Sequence, residues 1–162
     1  TVDPAGPHCP CGNRGCLHQY ASGAVMARAA REGLAAGRDG PLQQRSGGDA
    51  GRLTALAVLD AARRNDALGY EIVRRAGQAL GLAVANLIQL LNPQAVLLGG
   101  LVGSADDLLL HQVRREVERR ALPEPLAATP ILRSALGPQG EALGAALAAL
   151  AETLARWAEE EY

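Results

Sequence analysis

Residues 9–16 read C-P-C-G-N-R-G-C, and the three cysteines of the chain, Cys9, Cys11 and Cys16, all fall inside this stretch. The spacing C-x-C-x4-C brings three thiols within reach of one ion, because Gly12 and Gly15 let the backbone turn tightly between them. Three thiolates and one nitrogen make a tetrahedral zinc site of the Cys₃His type. His8 is the local candidate for the nitrogen, although its place next to Cys9 strains a joint grip on one ion. Two plainer readings stand beside the metal. One is three unrelated reduced thiols in a loop, against which counts the preference of free cysteine for burial. The other is a redox pair, whose usual spacing is C-x-x-C rather than C-x-C. An odd cysteine count with no distant partner argues against a disulfide framework.

The composition sets the bounds around that loop. The chain has 162 residues, enough for one ordinary domain with a real core. Hydrophobic residues make up 48%, but aromatics only 2% and Phe is absent, so the core must be built from Ala, Leu, Val and Ile. Recognition of nucleic acid by aromatic stacking has no platform here. Sixteen basic residues, all Arg, face 17 acidic ones for a net charge of −1, which gives no electrostatic footprint for DNA. The longest apolar stretches, Leu80–Leu91 and Ala142–Leu150, are interrupted by Asn, Gln or Gly. No membrane span or signal peptide is expected, and a cytoplasmic location is the default.

Outward from the cysteines, residues 1–15 read as loop. A helical pattern runs from Leu17 to about Ala36 with a break at Ser22-Gly23, where Ser22 is placed to cap the second piece. Residues 37–51, G-R-D-G-P-L-Q-Q-R-S-G-G-D-A-G, read as a flexible connector. Helices are expected over Leu53–Arg64 and from an Asp66 cap to Leu91. In the second, Ile72, Val73, Ala76, Leu80, Ala83, Val84, Leu87, Ile88 and Leu91 recur at helical spacing, and Asn92-Pro93 stops it. The run A-V-L-L-G-G over 95–100 reads as a buried strand, Asp106–Arg120 as a helix with Leu109, Leu110, Val113 and Val117 inward, Thr129–Ser134 as a second strand, and Gly140–Glu160 as an Ala-rich last helix. Together they form a β-α-β-α unit with parallel strands. Trp157 is expected to anchor the last helix. Two strands make a poor sheet, and the chain opens abruptly at a Cys-rich loop, so it reads as the C-terminal portion of a longer protein.

The run C-P-C-G-N-R-G-C-L-H-Q-Y-A-S-G resembles the zinc signature of the ROK family, the repressors, open reading frames and sugar kinases. The family pattern is Gly-His, a spacer of about ten residues, and C-x-C-G-x-x-G-C-x-E. The resemblance extends along the chain. N-L-I-Q-L-L-N-P-Q-A-V-L-L-G-G is similar to the family's helix–Asn-Pro–strand–Gly-Gly segment, and A-L-G-P-Q-G-E-A-L-G-A-A-L to its closing helix. It implies a predominantly helical α/β chain, part of the C-terminal lobe of an actin-like (ribonuclease H-like) ATPase fold with a short parallel sheet and a Cys-rich zinc loop. On this reading 1–162 is the C-terminal portion of a ROK domain. It divides into the zinc loop (1–16), a helical region (17–92) and the β-α-β-α unit (93–162), with the N-terminal lobe absent.

The resemblance also implies site residues. Cys9, Cys11 and Cys16 would hold zinc, with the fourth ligand, the His of Gly-His, just upstream of Thr1. The site in this chain is then incomplete unless His8 substitutes. The family's Glu that accepts hydrogen bonds from sugar hydroxyls stands where this chain has His18. A neutral imidazole offers one acceptor against the several lone pairs of a carboxylate, which would alter sugar preference. The plain alternative is an exposed helix-start histidine. Gly99, Gly100 and Gly103 follow a strand and precede a helix, a place where backbone can approach a phosphate; a tight turn needs glycine as well. Leu101 stands where the family's kinases usually carry a third consecutive Gly. Gly137 and the 140–144 segment resemble the adenosine side, or form a capped packing helix. Arg114, Arg115, Arg119 and Arg120, interleaved with Glu116 and Glu118, read as a solvated face.

No D-x-G-x-T segment and no catalytic Asp is recognised within the chain, so no catalytic residue is assigned. The leading expectation is the sugar-effector-binding and dimerising part of a ROK-family transcriptional repressor, with DNA reached only through an N-terminal domain. The alternative is the C-terminal lobe of an ATP-dependent, glucokinase-like sugar kinase, with ATP and Mg bound only in that case. A degenerate sugar-binding protein with neither activity is a third option. A sugar or sugar phosphate is the expected ligand, and a homodimer the expected assembly.

Overall fold

A computed structural model of the chain describes residues 1–38, 40–46, 50–100 and 107–160. Its elements are α1 (His18–Ala21), α2 (Gly23–Ala35), α3 (Pro41–Ser46), α4 (Ala55–Arg63), α5 (Ala67–Leu91), β1 (Val96–Leu98), α6 (Asp107–Arg120), α7 (Pro123–Ala128), β2 (Ile131–Arg133) and α8 (Gly140–Glu160). The helix boundaries follow their caps. The Ser22 hydroxyl accepts the Val25 N–H, the Thr54 hydroxyl the Ala57 N–H, and the Asp66 carboxylate the Gly69 N–H. Each satisfies a donor that has no partner within the helix itself. At the far end of α5, Asn92 takes a left-handed conformation with φ 42° and Pro93 prevents continuation.

Helix α5 is the spine. Its first half packs with α2, α3 and α4 around Met26, Leu42, Val58, Leu59 and Val73, and its second half with α6 around Val84, Ile88, Leu110, Val113 and Val117. Leu80 touches both clusters, so the two are continuous along one helix. The α5–α6 contact is set by Gly77 and Gly81. A Cβ at Gly77 would stand 2.4 Å from Gln112 Cβ, and one at Gly81 2.5 Å from Glu116 Cβ and 2.8 Å from the Val113 carbonyl oxygen. The strands pair in parallel, Val96 with Ile131, Leu97 with Leu132 and Leu98 with Arg133. Thr129 ties the pair to the end of α5 by donating its hydroxyl to the Pro93 carbonyl at 2.9 Å.

Several expectations change. Residues 37–51 are not simply a flexible connector. Pro41 opens α3, Leu42 is fully buried, and its N–H donates to Asp66 Oδ2 at 3.0 Å. One buried carboxylate therefore caps α5 and ties down α3, and the polar composition around Leu42 conceals its role. The strand over 96–98 is covered on one face only: Val96 and Leu98 pack on the α5–α6 cluster, while Leu97 is 66% exposed. Leu87 and Leu91 continue the apolar count of α5 but lie outside its contact stripe and are exposed. Trp157 does not anchor α8; it is 63% exposed.

The arginines of the α6 stripe are exposed, as expected of a solvated face, but Glu116 among them is buried. Arg114 donates to the Ile131 carbonyl at 2.7 Å, and Glu116 is buried between Arg119 and Arg120. Among the described residues no helix is long and apolar enough to cross a membrane.

The glycine contact is testable. Gly81→Ala would gain about 1 kcal/mol of helix propensity, but overpacking against a neighbouring backbone costs about 1–3 kcal/mol. With backbone at 2.8 Å the cost takes the upper end of that range, a net loss of about 2 kcal/mol and a melting temperature lower by about 4–8 °C, read by circular dichroism. A higher melting temperature would mean that α6 retreats from α5 at no cost.

Candidate functional site

The cysteine loop is built on backbone hydrogen bonds. The Val2 and Asp3 N–H groups donate to the Gly15 carbonyl at 2.8 and 3.2 Å, Gly15 N–H to the Pro7 carbonyl at 2.8 Å, and Cys9 N–H to the Asn13 carbonyl at 2.8 Å. Gly15 has φ 57°, and a Cβ there would stand 1.5 Å from the Asp3 carbonyl oxygen, so only glycine fits. Gly12, at φ 90°, makes the turn that returns its N–H to the Cys9 carbonyl at 3.0 Å. Cys16 then leads directly into α1, where its carbonyl accepts the Gln19 N–H at 2.8 Å.

This frame brings the three sulfurs together. Their Sγ atoms all lie within 4.8 Å of one another, and Cys11 and Cys16 are 3.5 Å apart. Two sulfurs on one tetrahedral zinc, each about 2.3 Å from the metal, stand roughly 3.8 Å apart. The donor set and its spacing therefore fit a metal ion. The thiols already share protons. The Asn13 backbone hydrogen bond, followed by the Cys9 and Cys16 thiols, lowers the Cys11 thiol to about 7. The Cys11 hydrogen bond, with some burial, raises Cys16 to about 11. His8 does not join the cluster: its Nε2 accepts from Arg14 Nη2 at 2.5 Å, and the backbones of the two residues pair across the loop.

The loop is fastened to the helical body by a pair that sequence reading did not single out. Tyr20, on α1, donates its hydroxyl to Asp3 Oδ2 at 2.8 Å, while Asp3 Oδ1 accepts the Ala5 N–H at 3.1 Å. Burial, then the neighbouring Asp3 carboxylate, pushes the Tyr20 hydroxyl above its ordinary range. Gly6 leaves room for this contact, since a Cβ there would lie 2.1 Å from the Tyr20 hydroxyl oxygen. The signal in the sequence was thin: one of four aromatic residues, four positions beyond Cys16. His18 opens α1 and is exposed, and it lines none of the cavities described here.

A cavity of about 360 Å³ lies at the carboxyl ends of β1 and β2, lined by Gly99, Gly100, Ser134, Leu136, Gly137 and Gly140. Ligands of parallel α/β sheets bind at this end of the strands. Gly100 and Gly137 have φ of 57° and 60°, and the Ser134 N–H donates to the Leu98 carbonyl at 2.9 Å. The structure thus joins the first glycine segment to the second, two runs that the sequence presents as separate signals. Gly103, like Leu101, Val102 and Asp106, lies outside the described residues.

Known proteins resemble this chain in sequence and in fold. The family model described as "ROK family" matches residues 1–152. Over 146 residues the chain is 34% identical to a glucokinase from Thermotoga maritima, covering 90% of this chain and 46% of that protein. It is 32% identical over 137 residues to the DNA-binding transcriptional dual regulator NagC of Escherichia coli, covering 83% of this chain and 32% of that one. The fold matches the crystal structure of a ROK family glucokinase from Streptomyces griseus in complex with glucose and AMPPNP, with a TM-score of 0.75 at 28% identity, over 85% of this chain and 45% of that one. The chain spans less than half the length of each of these relatives. With the family match and the shared fold together, this chain belongs to the ROK family.

Proposed function

We propose that this chain is the C-terminal, sugar- and nucleotide-facing part of a ROK-family sugar kinase, acting on a hexose with ATP and Mg. The observation that carries this reading is the glycine-lined cavity. Gly99, Gly100 and Gly137 leave backbone without side-chain cover at the carboxyl ends of two parallel strands. That is suitable for the close approach of a phosphate chain. Gly103 belongs to the same reading from sequence alone. The base that deprotonates the sugar hydroxyl is assigned to the lobe upstream, so residues 1–162 contribute binding and orientation rather than proton transfer.

The loop 1–16 is read as a structural zinc site held by Cys9, Cys11 and Cys16. Its fourth ligand is a histidine upstream, with His8 as substitute only if it releases Arg14. Bound zinc would supply a covalent-strength crosslink that fixes the start of α1, and with it His18, which faces the sugar in this reading. Residues 17–92 and 93–162 form the helical region and the β-α-β-α unit of one lobe. Association as a homodimer through helices is part of the proposal, supported by the uncovered leucines of α8.

A second reading has specific support. His18 in place of the family's glutamate and Leu101 in place of the third glycine usual in the family's kinases support it, and repressors stand among the relatives at about the same identity as kinases. The chain is then the sugar-effector-binding and dimerising part of a transcriptional repressor, whose DNA contacts lie in an N-terminal domain.

Calorimetric titration separates the two. The kinase reading expects AMPPNP to bind in the presence of Mg, and Gly137→Val to weaken it at least tenfold. Binding of a hexose with no binding of AMPPNP favours the repressor, and binding of neither overturns both. For the metal, native mass spectrometry of the zinc-loaded chain should show one ion, lost in Cys11→Ser; retention of one ion per chain in the variant removes the ligand assignment. In the metal-free protein, alkylation should modify Cys11 first, with its rate rising through a midpoint near pH 7 and Cys16 reacting only in alkaline solution; equal rates at the two thiols would contradict the shared-proton arrangement.

A further inference from the structure

A second cleft, of about 530 Å³, lies between the N-terminal loop and the outer faces of α5 and α6, and shares no residue with the glycine cavity. Its size is that of a small-molecule site. Asp3 and Tyr20 line it from the loop and α1, Arg75 and Gln78 from α5, and Arg119 and Arg120 from α6. The three guanidinium groups are held from behind. Glu71 pairs with Arg75 at 2.5 Å and with Arg38 at 2.8 Å. Buried Glu116 pairs with both Arg120 and Arg119, the latter at 3.6 Å.

An arginine has five N–H donors in a fixed fork, and one carboxylate cannot occupy them all. Glu116 serves two arginines at once, so donors on both stay available. Arg75, Arg119 and Arg120 remain half to largely open to solvent, with side-chain exposures of 69%, 71% and 49%. The opposing charges on the cleft are Asp3 and Glu116, and both are already engaged, Asp3 by Tyr20 and Ala5, Glu116 by its arginines. The cleft lining thus sets three arginines against two carboxylates, a net charge of +1, with guanidinium groups oriented in advance, the arrangement that favours bidentate contact with a phosphate.

We propose that this cleft binds the phosphate of a phosphorylated small molecule, with Arg75, Arg119 and Arg120 as its anion-binding residues. Glu71 and Glu116 are positioning residues that hold the guanidinium forks in place. Asp3, on the lining of the cleft, meets Gly15 through its backbone, so occupancy bears on the same loop that carries the cysteines.

The test is titration of the full chain with inorganic phosphate and with glucose 6-phosphate at fixed ionic strength, followed by the same titrations of Arg119→Gln/Arg120→Gln and of Arg28→Gln. Both anions are expected to bind. The double arginine variant should weaken them at least tenfold, with an unchanged circular dichroism spectrum, and Arg28→Gln, at an exposed arginine of α2 away from the cleft, should leave them within twofold. Tighter binding of glucose 6-phosphate than of phosphate assigns the ligand to an organic phosphate, and equal binding to free phosphate. Four results overturn the proposal: no binding at millimolar anion, binding within twofold of the parent in the double variant, loss of binding in Arg28→Gln alone, or binding of a poly-glutamate peptide where neither phosphate binds. If the double variant does not fold, Arg75→Gln is read by the same criteria.

Discussion

The close approach of α5 and α6 through Gly77 and Gly81 is the contact on which the rest is hung. Two glycines one turn apart remove the side chains that would otherwise separate the helices, and the Cβ atoms of Gln112 and Glu116 fill the space. That depth is what buries Glu116 and pulls Val113 and Val117 into the core. It also gives β1 and β2 a floor to rest on. The same close approach holds the Glu116 side chain at 6% exposure, where it anchors both Arg119 and Arg120. A buried carboxylate that loses its partners is a severe liability, so the polar pairing and the apolar packing depend on the same two missing side chains.

What could be read from the sequence was what local chemistry decides. Ser22, Asp66 and Asn92-Pro93 act on their own neighbours, and the caps and stops stand where their residue types place them. The parallel strands followed from short apolar runs separated by a helix. What could not be read was decided by partners distant in sequence. Leu42 looks like a lone leucine in a polar connector until the second oxygen of Asp66, 24 positions away, takes its N–H. Glu116 looks solvated on a helical wheel because the wheel does not show that α5 lacks side chains opposite it. Leu97 alternates correctly for a strand, but periodicity does not say how many faces are covered.

The candidate site divides along the same line. The cysteine cluster was legible because its ligands sit within one short loop, where chain connectivity alone limits their separation. Tyr20 and Asp3, which fasten that loop to α1, were not, because neither residue type is distinctive and 17 positions separate them. The glycine runs at 99–100 and 137–140 were each visible, yet only the parallel pairing of the strands before them makes the two runs walls of one cavity. His18 was flagged by its departure from a pattern; its exposure at the head of α1 agrees with either a sugar contact or a bare helix start.

Helix α8 carries Leu143, Leu147, Leu150, Leu154 and Trp157 at alternating steps of four and three, all open to solvent. Trp157 is the sole tryptophan of the chain. A lone indole in water emits at long wavelength, and an apolar cover shifts that emission to shorter wavelength. The helix therefore carries a built-in fluorophore on the same face as its leucines. The colour of its emission reports whether that face is wet or covered, independently of which surface covers it.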